Sequence, residues 1–225
     1  MMKKGYAIPP LVFQWFIRLC TLLVFKSLTK LEVKGIENLS THRGSLIFAS
    51  NHTSEWDGPL IRSVLPMFSR FGPMFYVSRE KSFYTRSGWR KLIYGGFLFR
   101  LLGAYSVSVG HRDYEVSLAN HIKILEDGFS VNIFPEGKRT MDGTLGEGRG
   151  GAVYLSLRTR TPIVPVGITG LFKFGDCSLF YEKRRVAVSF GIPYMPTITD
   201  KDNETTLNLY KIETAILMRK ISDLL

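Results

Sequence analysis

At 225 residues, 45% hydrophobic and 22% charged, the chain has enough apolar content for one well-buried domain and is not a disordered or low-complexity protein. A formal net charge of +11 calls for an anionic partner (nucleic acid, anionic lipid or a phosphate-bearing substrate), and 13% aromatic content leans towards the lipid surface. Two cysteines, Cys20 and Cys177, exclude a disulfide framework, no Cys/His spacing suggests zinc, and both read as small buried hydrophobes.

The first predicted element is an apolar stretch at 8–25, interrupted by Pro9, Pro10, Gln14 and Arg18. No small-residue cleavage site follows it, which argues against a signal peptide. As a spanning helix it is short, and Arg18 at mid-depth would cost roughly 2.5–3.5 kcal/mol. The better physical solution is a helix beginning after Pro10 that lies in the membrane interface, where Arg18, Lys26 and Lys30 snorkel; a purely soluble packing helix is the third reading. Residues 1–30 are therefore expected to be a membrane-associated helical segment, and 31–225 one α/β domain.

Strands are predicted at 31–34, 45–50, 74–78, 105–109, 131–134, 163–168 and 186–190. Helical patterns lie at 58–67, 89–102, 114–126, 151–158 and 205–225. Such alternation implies βαβ units, hence a mainly parallel central sheet flanked by helices on both faces. The runs 45–50 and 131–134 are mainly apolar, as strands covered on both sides should be. Between 79 and 100, Lys81, Arg86, Arg90 and Lys91 interleave with Phe83, Tyr84, Trp89, Tyr94, Phe97 and Phe99. That mixture suits an anionic bilayer surface, and equally a core helix whose charges face water.

In open α/β sheets the site sits beyond the carboxyl ends of strands, and two motifs fall there. Asn51-His52-Thr53-Ser54-Glu55-Trp56-Asp57 follows the first apolar strand. On a straight helix His52 and Asp57 would stand about 140° apart. They meet only if His52 occupies the strand-to-helix turn and Asp57 the first helical turn, which Asn51, Thr53 and Ser54 as cap residues favour. The carboxylate could then fix the imidazole tautomer and leave the other ring nitrogen to take a hydroxyl proton. The structural alternative has His52 capping the helix and Asp57 answering its N-terminal dipole.

The second motif, Phe134-Pro135-Glu136-Gly137-Lys138-Arg139-Thr140, follows the other apolar strand. Pro135 stops the strand and Gly137 permits a sharp turn. Arg139 with Lys138 offers a fork for phosphate, while Glu136 would bond a substrate hydroxyl or hold the arginine. A solvated turn whose Glu and Arg pair locally is the bland counterpart.

Taken together, these motifs resemble the glycerolipid acyltransferases, specifically the lysophosphatidate (1-acyl-sn-glycerol-3-phosphate) acyltransferase group. Asn51 through Asp57 matches that family's His-x4-Asp signature, and Phe134 to Gly137 with Arg139 its acceptor-binding signature. Val33-Lys34-Gly35-Ile36-Glu37-Asn38-Leu39, Arg149-Gly150-Gly151-Ala152 and Pro162-Ile163-Val164-Pro165-Val166 resemble flanking stretches in the same order. The resemblance implies acyl transfer from acyl-CoA or acyl-carrier protein to the free hydroxyl of a lysophospholipid, at the cytoplasmic face of a membrane. His52 would be the base and Asp57 its partner; Glu136, Gly137 and Arg139 would bind the acceptor, and Pro165 would shape the donor side. Neither metal nor cofactor is implied, because the thioester is already activated. Where the family carries an arginine, this chain has Val109, so the phosphate contact would move to Arg112 or His111, or the acceptor would differ.

Two rival classes fit less well. A thioesterase or serine hydrolase needs a nucleophile, and neither Ser50 nor Ser54 lies in a Gly-x-Ser-x-Gly elbow. A nucleic-acid-binding module would explain the charge but leave the ordered motifs without purpose, so no nucleic-acid partner is expected.

Overall fold

Residues 4–78, 97–107, 113–174, 183–197 and 203–225 are described by a computed structural model of the chain. A short 3-10 turn (Lys4–Ala7) leads into α1 (Ile8–Leu28), followed by β1 (Thr29–Lys34), β2 (Ile47–Ser50), α2 (Asp57–Val64) and β3 (Met74–Ser78). After these come α3 (Phe97–Leu101), β4 (Ala104–Ser106), α4 (Tyr114–Ser117), α5 (Ala119–Glu126), β5 (Ser130–Ile133) and α6 (Gly151–Thr159). β6 (Ile163–Thr169), β7 (Arg184–Phe190) and α7 (Asn203–Ser222) complete the chain.

The strands form one sheet in the order β1-β7-β6-β2-β5-β3-β4. Its five strands from β6 to β4 are parallel, whereas β7 runs antiparallel to β6 and parallel to β1. The sheet is thus mainly parallel, with the β1–β7 pair reversed. Alternation along β2 sorts its side chains between two cores: Ile47 and Ala49 join the cluster under α5, α6 and α7, and Phe48 the cluster under α1 and α2. Phe48 is fully buried, which contributes on the order of 2–3 kcal/mol of transfer free energy. The expected helix over 114–126 breaks at Leu118, whose backbone leaves the helical region. The expected strand 105–109 appears as β4, which starts at Ala104 and ends at Ser106 with Val107 already outside it; residues 108 and 109, and most of the basic–aromatic stretch 79–100, lie outside the described residues.

α1 corrects the sequence reading in three ways. It starts at Ile8, with Pro9 and Pro10 in the first turn, where a missing N–H costs nothing. Second, Arg18 does not snorkel outwards. Gln14 and Arg18, one turn apart, face the domain: Gln14 Nε2 donates to Met74 O (2.6 Å) and Leu102 O (2.9 Å), and Arg18 Nε to Leu65 O (3.3 Å). Third, Cys20 is exposed, while Cys177 lies outside the described residues. The helix is inside-out: Ile8, Val12, Phe16, Leu19 and Leu23 are each more than half exposed, at a helical spacing that puts them on one outward stripe. Trp15 meets Phe68, itself 83% exposed, edge to face at 5.7 Å, which extends the apolar surface past α2. Gly5–Leu28 is long and apolar enough to cross a membrane, yet Gln14 and Arg18 within it are bonded to the domain.

Candidate active site

β2 and β5 are neighbours in the middle of the sheet, so the segments leaving their carboxyl ends emerge side by side. From β2 the chain passes through Asn51, whose amide exchanges two hydrogen bonds with the backbone of Ile168 (2.8 and 2.9 Å) and so fixes the exit. A tight turn then carries the chain into α2, with Asp57 N–H donating to Ser54 O at 3.3 Å.

Within that turn the fully buried Asp57 carboxylate gathers four donors. Oδ2 accepts from His52 Nδ1 (2.8 Å), Thr53 N–H (2.7 Å) and Ser54 N–H (2.8 Å), and Oδ1 accepts from the Thr53 hydroxyl (3.3 Å). Both roles weighed from the sequence meet in one group, since Asp57 satisfies N–H groups ahead of α2 and also holds the imidazole. With Asp57 ionised as an acceptor, the imidazole proton belongs on Nδ1 and Nε2 keeps its lone pair. The ring lies flat on Phe134, centroids 3.9 Å apart and planes 13° apart. Its side chain remains 23% exposed.

The turn after β5 holds the backbone of the same residue. Glu136, only 5% exposed, accepts from His52 N–H (2.7 Å) through Oε1 and from Gly146 N–H (2.9 Å) through Oε2. Thr140 N–H in turn donates to His52 O at 2.9 Å. Gly137 has φ of +67°, which favours glycine, and a Cβ there would stand 3.2 Å from the Arg149 side chain and press on it. Asp142 stiffens the loop beyond: bonds from the Thr144 N–H and the Thr144 and Thr140 hydroxyls bring its carboxyl down to about 2.

A cavity of about 700 Å³ opens beside His52 and runs along α2 to α1. His52, Phe134, Gly137, Lys138 and Arg139 line it at one end; Pro59, Arg62, Ser63, Gln14, Ile17 and Arg18 continue it. Arg139 pairs with Glu55 at 3.4 Å, both about half exposed, a contact worth about 0–1 kcal/mol in water and readily exchanged for a ligand anion.

The structure therefore brings His52, Asp57, Glu136, Gly137 and Arg139 together. Glu136 is turned towards backbone N–H groups and is not among the residues lining the cavity. Pro165 is buried in β6, in register with Ala49, and does not line the cavity either. Arg112 and His111 lie outside the described residues. Sequence reasoning missed Arg62, a charged residue inside the apolar run of α2, and the inward role of Gln14 and Arg18. For the latter pair the signal was present, since a four-residue spacing puts both on one helix face.

The family model described as Acyltransferase matches residues 30–169. The chain is 26% identical over 145 residues to a chloroplastic 1-acyl-sn-glycerol-3-phosphate acyltransferase of Brassica napus, a match covering 64% of this chain and 38% of that protein. Its counterpart in Arabidopsis thaliana is 27% identical over 145 residues, covering 64% of this chain and 37% of that one. The chain thus spans less than half the length of these curated relatives. Among solved structures, the 1-acyl-sn-glycerophosphate acyltransferase PlsC of Thermotoga maritima shares the fold, with a TM-score of 0.62 at 20% identity, over 94% of this chain and 79% of that one.

Proposed function

The chain belongs to the acyltransferase family, and from that premise we propose that it moves a fatty-acyl group from acyl-CoA or acyl-carrier protein to the free hydroxyl of a lysophospholipid. The acceptor that fits best is 1-acyl-sn-glycerol-3-phosphate, giving phosphatidate. One observation carries this reading: His52 is held by Asp57, Phe134 and the 136–140 turn, and it lines a largely apolar cavity of about 700 Å³.

In this mechanism Nε2 takes the hydroxyl proton as the acceptor oxygen attacks the thioester carbonyl. Asp57 stabilises the imidazolium that forms. Collapse of the tetrahedral intermediate breaks the C–S bond, and the imidazolium returns the proton to the departing thiolate. Lys138 and Arg139 at the mouth hold the acceptor phosphate, while Glu136 keeps His52 in place from behind.

Membrane association belongs to the same proposal. A helix whose Gln14 and Arg18 point inward and whose apolar stripe faces out is poorly suited to water, and a bilayer interface answers it. We place α1 in the plane of the membrane, where its outward stripe and Phe68 enter the acyl region.

The test is a lipid mass-spectrometric assay of the purified chain with several lysolipids and acyl donors on anionic vesicles. Phosphatidate formation by the wild type, lost in His52→Ala with the fold intact, is the expected result. Turnover retained in His52→Ala, or no acyl transfer to any lysolipid, overturns the proposal. Charging the stripe with Phe16→Glu and Leu19→Glu should abolish co-sedimentation with vesicles, and unchanged sedimentation would remove α1 as the docking surface.

A further inference from the structure

Two arginines line the cavity on the α1–α2 side, where Arg18 Nε reaches Leu65 O just past the end of α2. Arg62 lies on the last turn of α2 and Arg18 on α1, and both line the cavity. Between Asp57 and Arg62 the helix advances about 7.5 Å. This side therefore lies well inside the mouth where Lys138 and Arg139 stand.

Arg62 is 2% exposed and heads the largest fully buried side chains among the described residues. Its Nη2 reaches Met67 O only at 3.4 Å, and Nε and Nη1 have no hydrogen-bond partner among the described residues. No carboxylate among them pairs with it. Gly72 makes room for the group, since a Cβ there would stand 2.6 Å from Nη2. Arg18 spends Nε on Leu65 O, and its terminal N–H groups show no acceptor among the described residues. Burial pushes the Arg62 guanidinium down, and the neighbouring Arg18 charge adds to this against an opposing contribution from Tyr76.

A buried, uncompensated cation is costly, and a second cation beside it makes the cost larger. Leucine or methionine would fill the same volume without that penalty. The arrangement makes physical sense if a bound anion supplies the missing charge and acceptors. A single guanidinium would match a carboxylate; two lining one cavity match a phosphate monoester, which carries up to two charges near neutral pH. Ile17, Pro59, Val77, Phe99 and Leu102 also line the cavity, beside the polar Gln14, Ser63, Tyr76 and Ser78, so an occupant with an apolar portion gains further contact. Arg18 also sits directly behind the outward stripe of α1, which favours a lipid as the source of the phosphate.

We propose that Arg62 and Arg18 form an internal oxyanion subsite that takes the phosphate monoester group of a lipid-like molecule in the cavity, separate from the anion contact at Lys138 and Arg139. Because the subsite is a binding claim, its test needs no turnover and stands apart from the acyl-transfer proposal.

The experiment is a thermal-shift titration of the full chain in non-ionic detergent with inorganic phosphate and with hexyl phosphate. Both should raise the wild-type Tm. Tighter binding of hexyl phosphate assigns the site to lipid-borne phosphate, whereas equal binding assigns it to free phosphate. Arg62→Met should weaken either probe by about tenfold or more, while Arg139→Ala keeps the affinity for hexyl phosphate. Without any probe, Arg62→Met should melt no lower than the wild type, because it removes an unpaired buried charge. Absence of a wild-type shift, or loss of binding in Arg139→Ala with Arg62→Met unaffected, overturns the subsite. Should Arg62→Met fail to fold, Arg18→Met is read in its place, and unchanged hexyl phosphate affinity in that variant overturns the proposal.

Discussion

The two ends of the cavity are built on opposite terms. Around His52 the polar groups that fix the ring find partners within the chain: the backbone N–H and C=O are held by Glu136 and Thr140, Nδ1 by Asp57, and the ring face by Phe134. Only Nε2 is left to act on something from outside. Around Arg62 the polarity is buried just as deeply, yet two of its three nitrogens have no partner among the described residues. A finished constellation suits chemistry, because a base must already be in position when the substrate arrives. An unfinished one suits binding, because the ligand completes it.

The largest effect should follow from breaking the finished end at its charge. Asp57→Asn can still accept the three bonds now made to Oδ2, so the turn should fold. It loses the negative charge that favours the imidazolium, and the amide can orient the wrong way. A kcat lower by about 10²–10⁴-fold at near-normal melting temperature is the expected outcome. A loss smaller than tenfold, measured as initial rates on vesicle substrate, would remove Asp57 from the mechanism.

A smaller but more discriminating change is Glu136→Gln. The amide keeps one acceptor and replaces the other with a donor, so one of the two backbone N–H groups, His52 or Gly146, loses its partner. Because the carboxylate acts on His52 from behind, kcat should fall by about tenfold, the cost of one buried charge-assisted bond, with little change in acceptor KM. The reverse split, with KM raised and kcat kept, would return Glu136 to the substrate-contacting role expected from the sequence.

How much of this contrast was legible beforehand follows from which interactions are local. β3 occupies the predicted 74–78, and the exits of β2 and β5 were readable because apolar runs end at strong turn residues, Asn51 and Pro135. Closure of His52 onto Asp57 needed only six residues and their cap chemistry. Glu136 was harder, since its partner N–H is 84 residues away and the motif reads equally well as a solvated turn. The reversed β1–β7 pair left no local trace, because strand direction depends on where the connecting segment travels. Arg18 was misplaced because its four-residue spacing from Gln14 shows only that the two share a helix face, and the packing of α1 on α2 decides which way that face turns.

His121 sharpens the comparison from outside the cavity, as a third kind of buried polar group that the chain only half satisfies. Its ring on α5 is fully buried, Nε2 reaches Tyr76 O at 3.4 Å, and Nδ1 has no partner among the described residues. Burial dominates over the carbonyls of Tyr76 and Tyr105 and lowers its pKa from 6.5 to about 4. Between those values the unfolded chain binds a proton that the folded chain refuses, so stability is intact above pH 6.5 and falls as the pH drops towards 4. The full span corresponds to roughly 3 kcal/mol, or about 6–12 °C in Tm for a chain of this size. Acidification alone would not isolate the group, since carboxylates titrate in the same window. The difference between wild type and His121→Leu does, because leucine removes the proton site while filling much of the same space. From pH 7 to 4 the melting temperature of the wild type should fall relative to that of His121→Leu, whichever protein is the more stable at neutral pH. Parallel curves would mean that His121 is protonated in the folded chain, and that its neighbours satisfy it more fully than their geometry suggests.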